Sequence, residues 1–191
     1  MRSLLNLLEK EVETRGLTSD QISDIIQNNK DLTNRRIISG YASVDMIDRE
    51  GQRIPISALK TAVDNFMKNL FARPVQIFHS DVQVGRILPK WTDPGSGKTY
   101  TNHVDDTGWF VIVEIRDDTE IADKTWEEIV KGNLRSFSIA GSSKEKLQKQ
   151  ENGVRYEEVK TLEIYEATIC ETPVNSMSKF DILWDPQKVF Y

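Results

Sequence analysis

The chain has 191 residues, with 25 Lys or Arg against 30 Asp or Glu, a net charge of -5 and an isoelectric point near 5.2. At 38% apolar and 29% charged residues it can build one sizeable core, and its acidity argues against a dominant nucleic-acid-binding role, because neutralising phosphates needs a basic surface. The single cysteine, Cys170, excludes an intrachain disulfide and a cysteine-rich zinc site, and there is no run of about 18 apolar residues to cross a membrane. Met1 to Leu8 imitates a signal peptide for one turn, but Glu9 and Glu11 end the apolar stretch, so a cytoplasmic protein is expected.

Residues 1–33 differ from the rest. Leu4, Leu5, Leu8 and Val12 recur at helical spacing, Arg15-Gly16 interrupts, and Thr18 with Gln21 has the spacing of a capping box for a second helix carrying Ile22, Ile25 and Ile26. This amphipathic segment is expected either to pack on the main core or to act as an arm for a partner. From Arg36 the pattern turns to strands. Ile37 to Val44 suits a pleated surface, and a helix with a stripe of Leu59, Val63, Phe66, Met67 and Leu70 follows. Val75 to His79 reads as a strand with Val75, Ile77 and His79 on one face, Val84 to Leu88 as another, and Trp91 to Thr107 as a long surface loop. Trp109 to Arg116 is apolar on both faces and predicts a doubly buried strand. A helix with Ile121, Thr125, Trp126, Ile129 and Val130 ends at Gly132; Leu134 to Ala140 is a strand, Gly141 to Gly153 a charged hairpin or loop, and Tyr156 to Cys170 one or two strands ending before Pro173. About six or seven strands with two internal helices, without βαβ alternation, predict a barrel or strongly curled sheet with helices outside.

Gly95-Ser96-Gly97-Lys98-Thr99 has the residue types of a phosphate loop, but position 92 is Thr where that loop needs its first Gly, and no helix follows. His79, Asp81, His103 and Cys170 include metal-ligand types without a spacing that gathers them, and Asp105-Asp106 reads as a solvated charge pair. No cofactor and no metal are expected.

A different set is complementary. His79 ends an apolar strand, Ser136 and Ser138 share a face of theirs, and Glu166 interrupts the apolar run Ile164 to Cys170. A buried carboxylate needs a partner, imidazole is a suitable one, and a serine needs an oriented base to become a nucleophile at neutral pH. The competing reading of each is a satisfied core histidine, packing serines and a lone carboxylate.

The series Gly40-Tyr41-Ala42-Ser43, Phe78-His79, Val84-Gly85-Arg86-Ile87, Gly108-Trp109-Phe110-Val111, Val130-Lys131-Gly132, Leu134 to Gly141 and Tyr165-Glu166-Ala167-Thr168-Ile169 closing on Pro173-Val174-Asn175 resembles the caudovirus prohead proteases over residues 36 to 180. That family is similar to the herpesvirus assemblins. The resemblance implies an α+β fold, a mostly antiparallel β-barrel surrounded by helices, over residues 34–191 after the helical segment 1–33. It also implies Ser138 as nucleophile, His79 as base and Glu166 as third member where assemblins place a second His, with Ser136 competing for Ser138, and Glu114 and Asp117 for Glu166. The activity implied is a serine endopeptidase acting inside the immature phage shell, in the host cytoplasm, on the capsid scaffold protein and the arms of the major capsid protein, with self-cleavage and a homodimer as further expectations. No nucleic acid or membrane partner is expected, and the alternative function is a non-catalytic assembly protein that keeps the fold.

Overall fold

A computed structural model describes residues 34–68 and 73–186; the helices predicted over 1–33, and Leu70 of the helical stripe, lie outside the described residues. The strands are β1 (Arg36–Val44), β2 (Gln52–Arg53), β3 (Pro74–Ile77), β4 (Gln83–Leu88), β5 (Lys90–Thr92), β6 (Thr99–Thr101), β7 (His103–Val104), β8 (Gly108–Ile115), β9 (Ser136–Glu151), β10 (Val154–Cys170) and β11 (Phe180–Trp184). Two helices accompany them, α1 (Ile56–Lys68) after β2 and α2 (Glu120–Lys131) after β8.

Seven strands follow one another in the order β11-β1-β8-β4-β3-β10-β2, with β7 added to β8 and β9 to β10, while β5 and β6 form a separate hairpin. The ladders are antiparallel except where β10 runs parallel to β2 and to β3, so the sheet is mixed. It curls into a half-barrel. At its open side the start of β9 meets the approach to β11 through one bridge, Ser136 to Lys179, and through Phe137 N–H to the Ser178 carbonyl. The barrel expected from sequence is thus an incompletely closed one.

Alternation explains the interior. β8 is buried on both faces, as its continuous apolarity predicts, and supplies Trp109, Val111, Val113 and Ile115 to the main core and Ile112 to a second cluster with Ile37, Leu88 and Trp91. α1 buries Leu59, Val63 and Phe66. α2 begins at Thr119, whose hydroxyl accepts the Ala122 N–H, and stops at Gly132. Its buried stripe is Ala122, Thr125, Trp126 and Ile129; Ile121 and Val130, predicted to join it, are exposed, because they fall at the two margins of the inward arc.

One further prediction changes. The segment 91–107 is not one long loop: β5 and β6 form a hairpin in which Trp91, on β5, is fully buried, with the Gly95-Ser96-Gly97 turn held by Asp93 accepting the Gly95 and Ser96 N–H groups. That turn has a local structural use and no following helix. The charged stretch after Gly141 takes the hairpin form of the two expected, continuing β9 into a turn and back along β10, and Tyr156 to Cys170 belongs to one unbroken 17-residue strand. β9 and β10 form a long ribbon whose Asn152-Gly153 tip has positive φ at both residues, the requirement of a tight hairpin turn. β11 was not foreseen; Phe180 and Ile182 lie against the main core, and Leu183 and Trp184 against the second cluster.

Gly40, on β1, allows a close approach of the chain entering β11, since a Cβ there would stand 2.1 Å from the Lys179 carbonyl oxygen. Gly40→Ala should cost about 1–3 kcal/mol by forcing β1 and β11 apart, measured as a lower urea midpoint at unchanged slope.

Candidate active site

The site is assembled by three adjacent strands, β9, β10 and β3. The β9–β10 register sets Ser136 opposite Cys170, Ser138 opposite Thr168 and Ala140 opposite Glu166, so these six side chains share one face. Phe137, Ala167 and Ile169 point the other way into the main core. A bulge between Ile164 and Glu166 makes this possible. Ile164 pairs with Gly141 and Glu166 with the very next residue, Ala140, so Tyr165 is the extra residue. Ile164 remains in the apolar core while Glu166 turns to the serine face; unbroken alternation would have put both on the same side.

β3 lies on the other edge of β10, with Gln76 in register with Thr168. Sequence periodicity continued β3 to His79 and put that residue on the core face of Val75 and Ile77. The structure corrects this: β3 ends at Ile77, and Phe78 and His79 take φ values of 52° and 51°. Ser80 N–H returns to the Ile77 carbonyl at 3.1 Å, so the chain makes a tight turn with both central residues left-handed, as in type I′. Such a conformation costs a non-glycine residue roughly 1–2 kcal/mol. Its effect is to fold the imidazole back along β10. His79 Nδ1 lies 2.6 Å from Glu166 Oε1, and His79 N–H donates to Thr168 Oγ1 at 3.0 Å.

Glu166 is 5% exposed, whereas the His79 side chain is 42% exposed. The imidazole therefore covers a buried carboxylate. An ionised carboxylate only accepts, so Nδ1 is the donor in this contact, and in a neutral imidazole so held Nε2 keeps its lone pair, the form a general base requires. Ser138 and Gln76 pair with Thr168 from opposite edges of β10, so β9 and the strand that leads into His79 lie two strand spacings apart, about 10 Å between backbones. Ser138 and His79 are not hydrogen-bonded to each other among the described residues; hydrogen bonds of this kind are often loose before substrate arrives. Ser136 is one step further along β9, opposite Cys170 and bridged to Lys179.

The other candidates are placed elsewhere. Glu114 is held between two cations: Oε1 accepts from Arg35 Nε at 2.8 Å, and Oε2 from Arg86 Nε at 3.0 Å and Nη2 at 2.7 Å. Asp117 is exposed between β8 and α2. His103, on β7, donates from Nδ1 to the Thr101 carbonyl at 2.8 Å, and its Nε2 lies 3.6 Å from Asp105 Oδ2. Burial, reinforced by the Glu171 charge, pushes the Cys170 thiol up to about 11, which leaves it protonated and unreactive at neutral pH. Among the described residues no group of three or more His, Cys, Asp or Glu could hold a metal ion. Thr168 and Gln76 were not singled out from sequence, although the step of two from Glu166 to Thr168 was visible there.

A histidine held by a buried carboxylate, on strands adjoining a strand with a serine on the same face, is the kind of arrangement used by serine hydrolases. The family comparison narrows this class. The chain belongs to the caudovirus prohead serine protease family, whose pattern it matches over residues 23–186. It is also similar to the Uncharacterized protein YqbD of Bacillus subtilis (strain 168), with 24% identity over 131 residues, 67% of this chain and 38% of that protein. The chain thus spans well under half the length of this curated relative. No helix among the described residues is long and apolar enough to cross a membrane.

The two glutamates should separate by stability. Glu114→Gln leaves the buried Arg35 and the partly exposed Arg86 without their counter-charge and should destabilise the fold by about 3–5 kcal/mol in chemical denaturation, most of it from Arg35. Glu166→Gln keeps an acceptor for a half-exposed imidazole and should cost less than half of that in the same experiment.

Proposed function

We propose that the protein is a serine endopeptidase that cleaves the scaffold protein and the scaffold-like arms of the major capsid protein during prohead maturation, and that His79, Ser138 and Glu166 are its catalytic residues. The observation that carries this reading is the 2.6 Å contact between His79 Nδ1 and Glu166 Oε1 on the face that Ser138 shares. Membership of a prohead serine protease family supports the reaction class and its setting inside an immature shell in the host cell. An incompletely closed, curled sheet with two helices is also compatible with an assemblin-like barrel.

In this mechanism Ser138 Oγ attacks the scissile carbonyl carbon as its proton passes to His79 Nε2. The imidazolium then hands that proton to the departing amine, leaving an acyl-serine. Water, deprotonated by the same nitrogen, attacks the acyl carbon and frees Ser138. Glu166 remains ionised throughout: it holds the ring so that Nε2 is the basic nitrogen, and its charge favours the imidazolium that forms in each half-reaction.

Ser138→Ala should lower cleavage of co-expressed scaffold by on the order of 10⁶-fold while the protein stays folded, and Ser136→Ala should leave cleavage intact. Mass spectrometry of the scaffold products and of the enzyme itself would read the result and any self-cleavage. Activity lost in the Ser136 variant and kept in the Ser138 variant would move the nucleophile. Failure of the unmodified chain to react with a fluorophosphonate between pH 6 and 9 would instead favour a non-catalytic assembly protein on the same fold.

A further inference from the structure

We infer that Thr168 is a positioning residue for the histidine, an inference that rests on the triad proposed above. Thr168 is fully buried on β10, between two neighbours, Ala167 and Ile169, that belong to the apolar core. Valine has the same shape and suits a buried strand at least as well, and a buried hydroxyl is tolerated only with a partner. The partner is the amide N–H of His79, which donates to Thr168 Oγ1 at 3.0 Å.

The position of that bond gives it a consequence. The turn carrying His79 is left-handed at Phe78 and His79, residues with no intrinsic preference for such backbone, and Phe78 is exposed and contributes little packing to hold it. Backbone and side-chain hydrogen bonds fasten the turn to the sheet: Ser80 N–H and Oγ–H to the Ile77 carbonyl, Phe78 N–H to the Ile169 carbonyl, Asp81 N–H to Gln76 Oε1, and His79 N–H to Thr168 Oγ1. Only the last is made at the histidine's own backbone. It fixes the Cα from which the ring reaches Glu166, and it does so from the β10 position paired with Ser138. One hydroxyl therefore references the base to the strand register that also locates the nucleophile and the carboxylate. Thr168 need not touch substrate to act this way.

The test uses the full chain and a fluorophosphonate probe, with the limiting rate of Ser138 phosphonylation and the half-saturating probe concentration measured separately. Thr168→Val should lower the limiting rate by on the order of 100-fold, the size of effect expected from misplacing a catalytic group by about 1 Å, with the half-saturating concentration unchanged. Thr168→Ser, which keeps the oxygen and removes the methyl, should restore the rate. The downfield proton resonance of the His79 Nδ1–H should be present in the unmodified and serine chains, and lost or shifted upfield in the valine chain. Should the valine variant fail to fold, Thr168→Ala carries the same expectation. Wild-type rates in a folded variant lacking the hydroxyl, or a serine variant as slow as the valine one, would overturn the positioning role alone. A wild-type chain that is not phosphonylated would overturn the triad and this inference with it.

Discussion

The antiparallel pairing of β9 with β10 decides which polar groups can meet. Side chains alternate along both strands, so a ladder in which Ser138 faces Thr168 commits Ser136, Ala140, Glu166 and Cys170 to that face and Phe137, Ala167 and Ile169 to the core. The apolar set enforces the arrangement. Slipping the register by one residue would expose three core side chains and bury a carboxylate among them, so the free energy that holds the core also keeps the site in order. β3 then joins the opposite edge of β10 and delivers a histidine to the same face.

Two buried carboxylates show how charge is managed in such a sheet. Glu114 is surrounded by guanidinium groups on β4 and just before β1, with both oxygens engaged, and works as a clamp between three strands. Glu166 has a weaker partner. One oxygen meets an imidazole that is itself half open to solvent, and the other has no hydrogen-bond partner among the described residues. The first environment suits permanence. The second leaves a buried carboxylate with one contact, made at the edge of solvent.

Much of the framework was legible in the sequence. Continuous apolarity marked β8, helical spacing with a terminal Gly132 marked α2, and the residue types His, Ser and Glu marked the polar positions on apolar strands. What was not legible has a common physical origin: it depends on departures from regular period. Periodicity carried β3 through Phe78 and His79, because neither residue announces a left-handed turn as Asn-Gly does at the ribbon tip. It also could not register the extra residue at Tyr165, since bulges leave no compositional mark when the residue is one that suits strands. The loop reading of 91–107 failed for the opposite reason: its turn residues were recognised, but Trp91 and its partners are too few to show alternation. The Thr168 hydroxyl looked like ordinary strand composition, because its partner is a backbone amide and not another side chain.

The bulge at Tyr165 also bears on how relatives of this chain are to be read. Because one inserted residue separates the parity of Ile164 from that of Glu166, the site is encoded by a spacing as much as by residue types. A homologue could retain a histidine, a serine and a glutamate in the same order, lack that single residue, and direct its carboxylate into hydrocarbon. Aligned column by column it would look intact. Divergence by insertion or deletion along this strand is therefore a route by which such a fold could shed its chemistry while its recognisable letters survive.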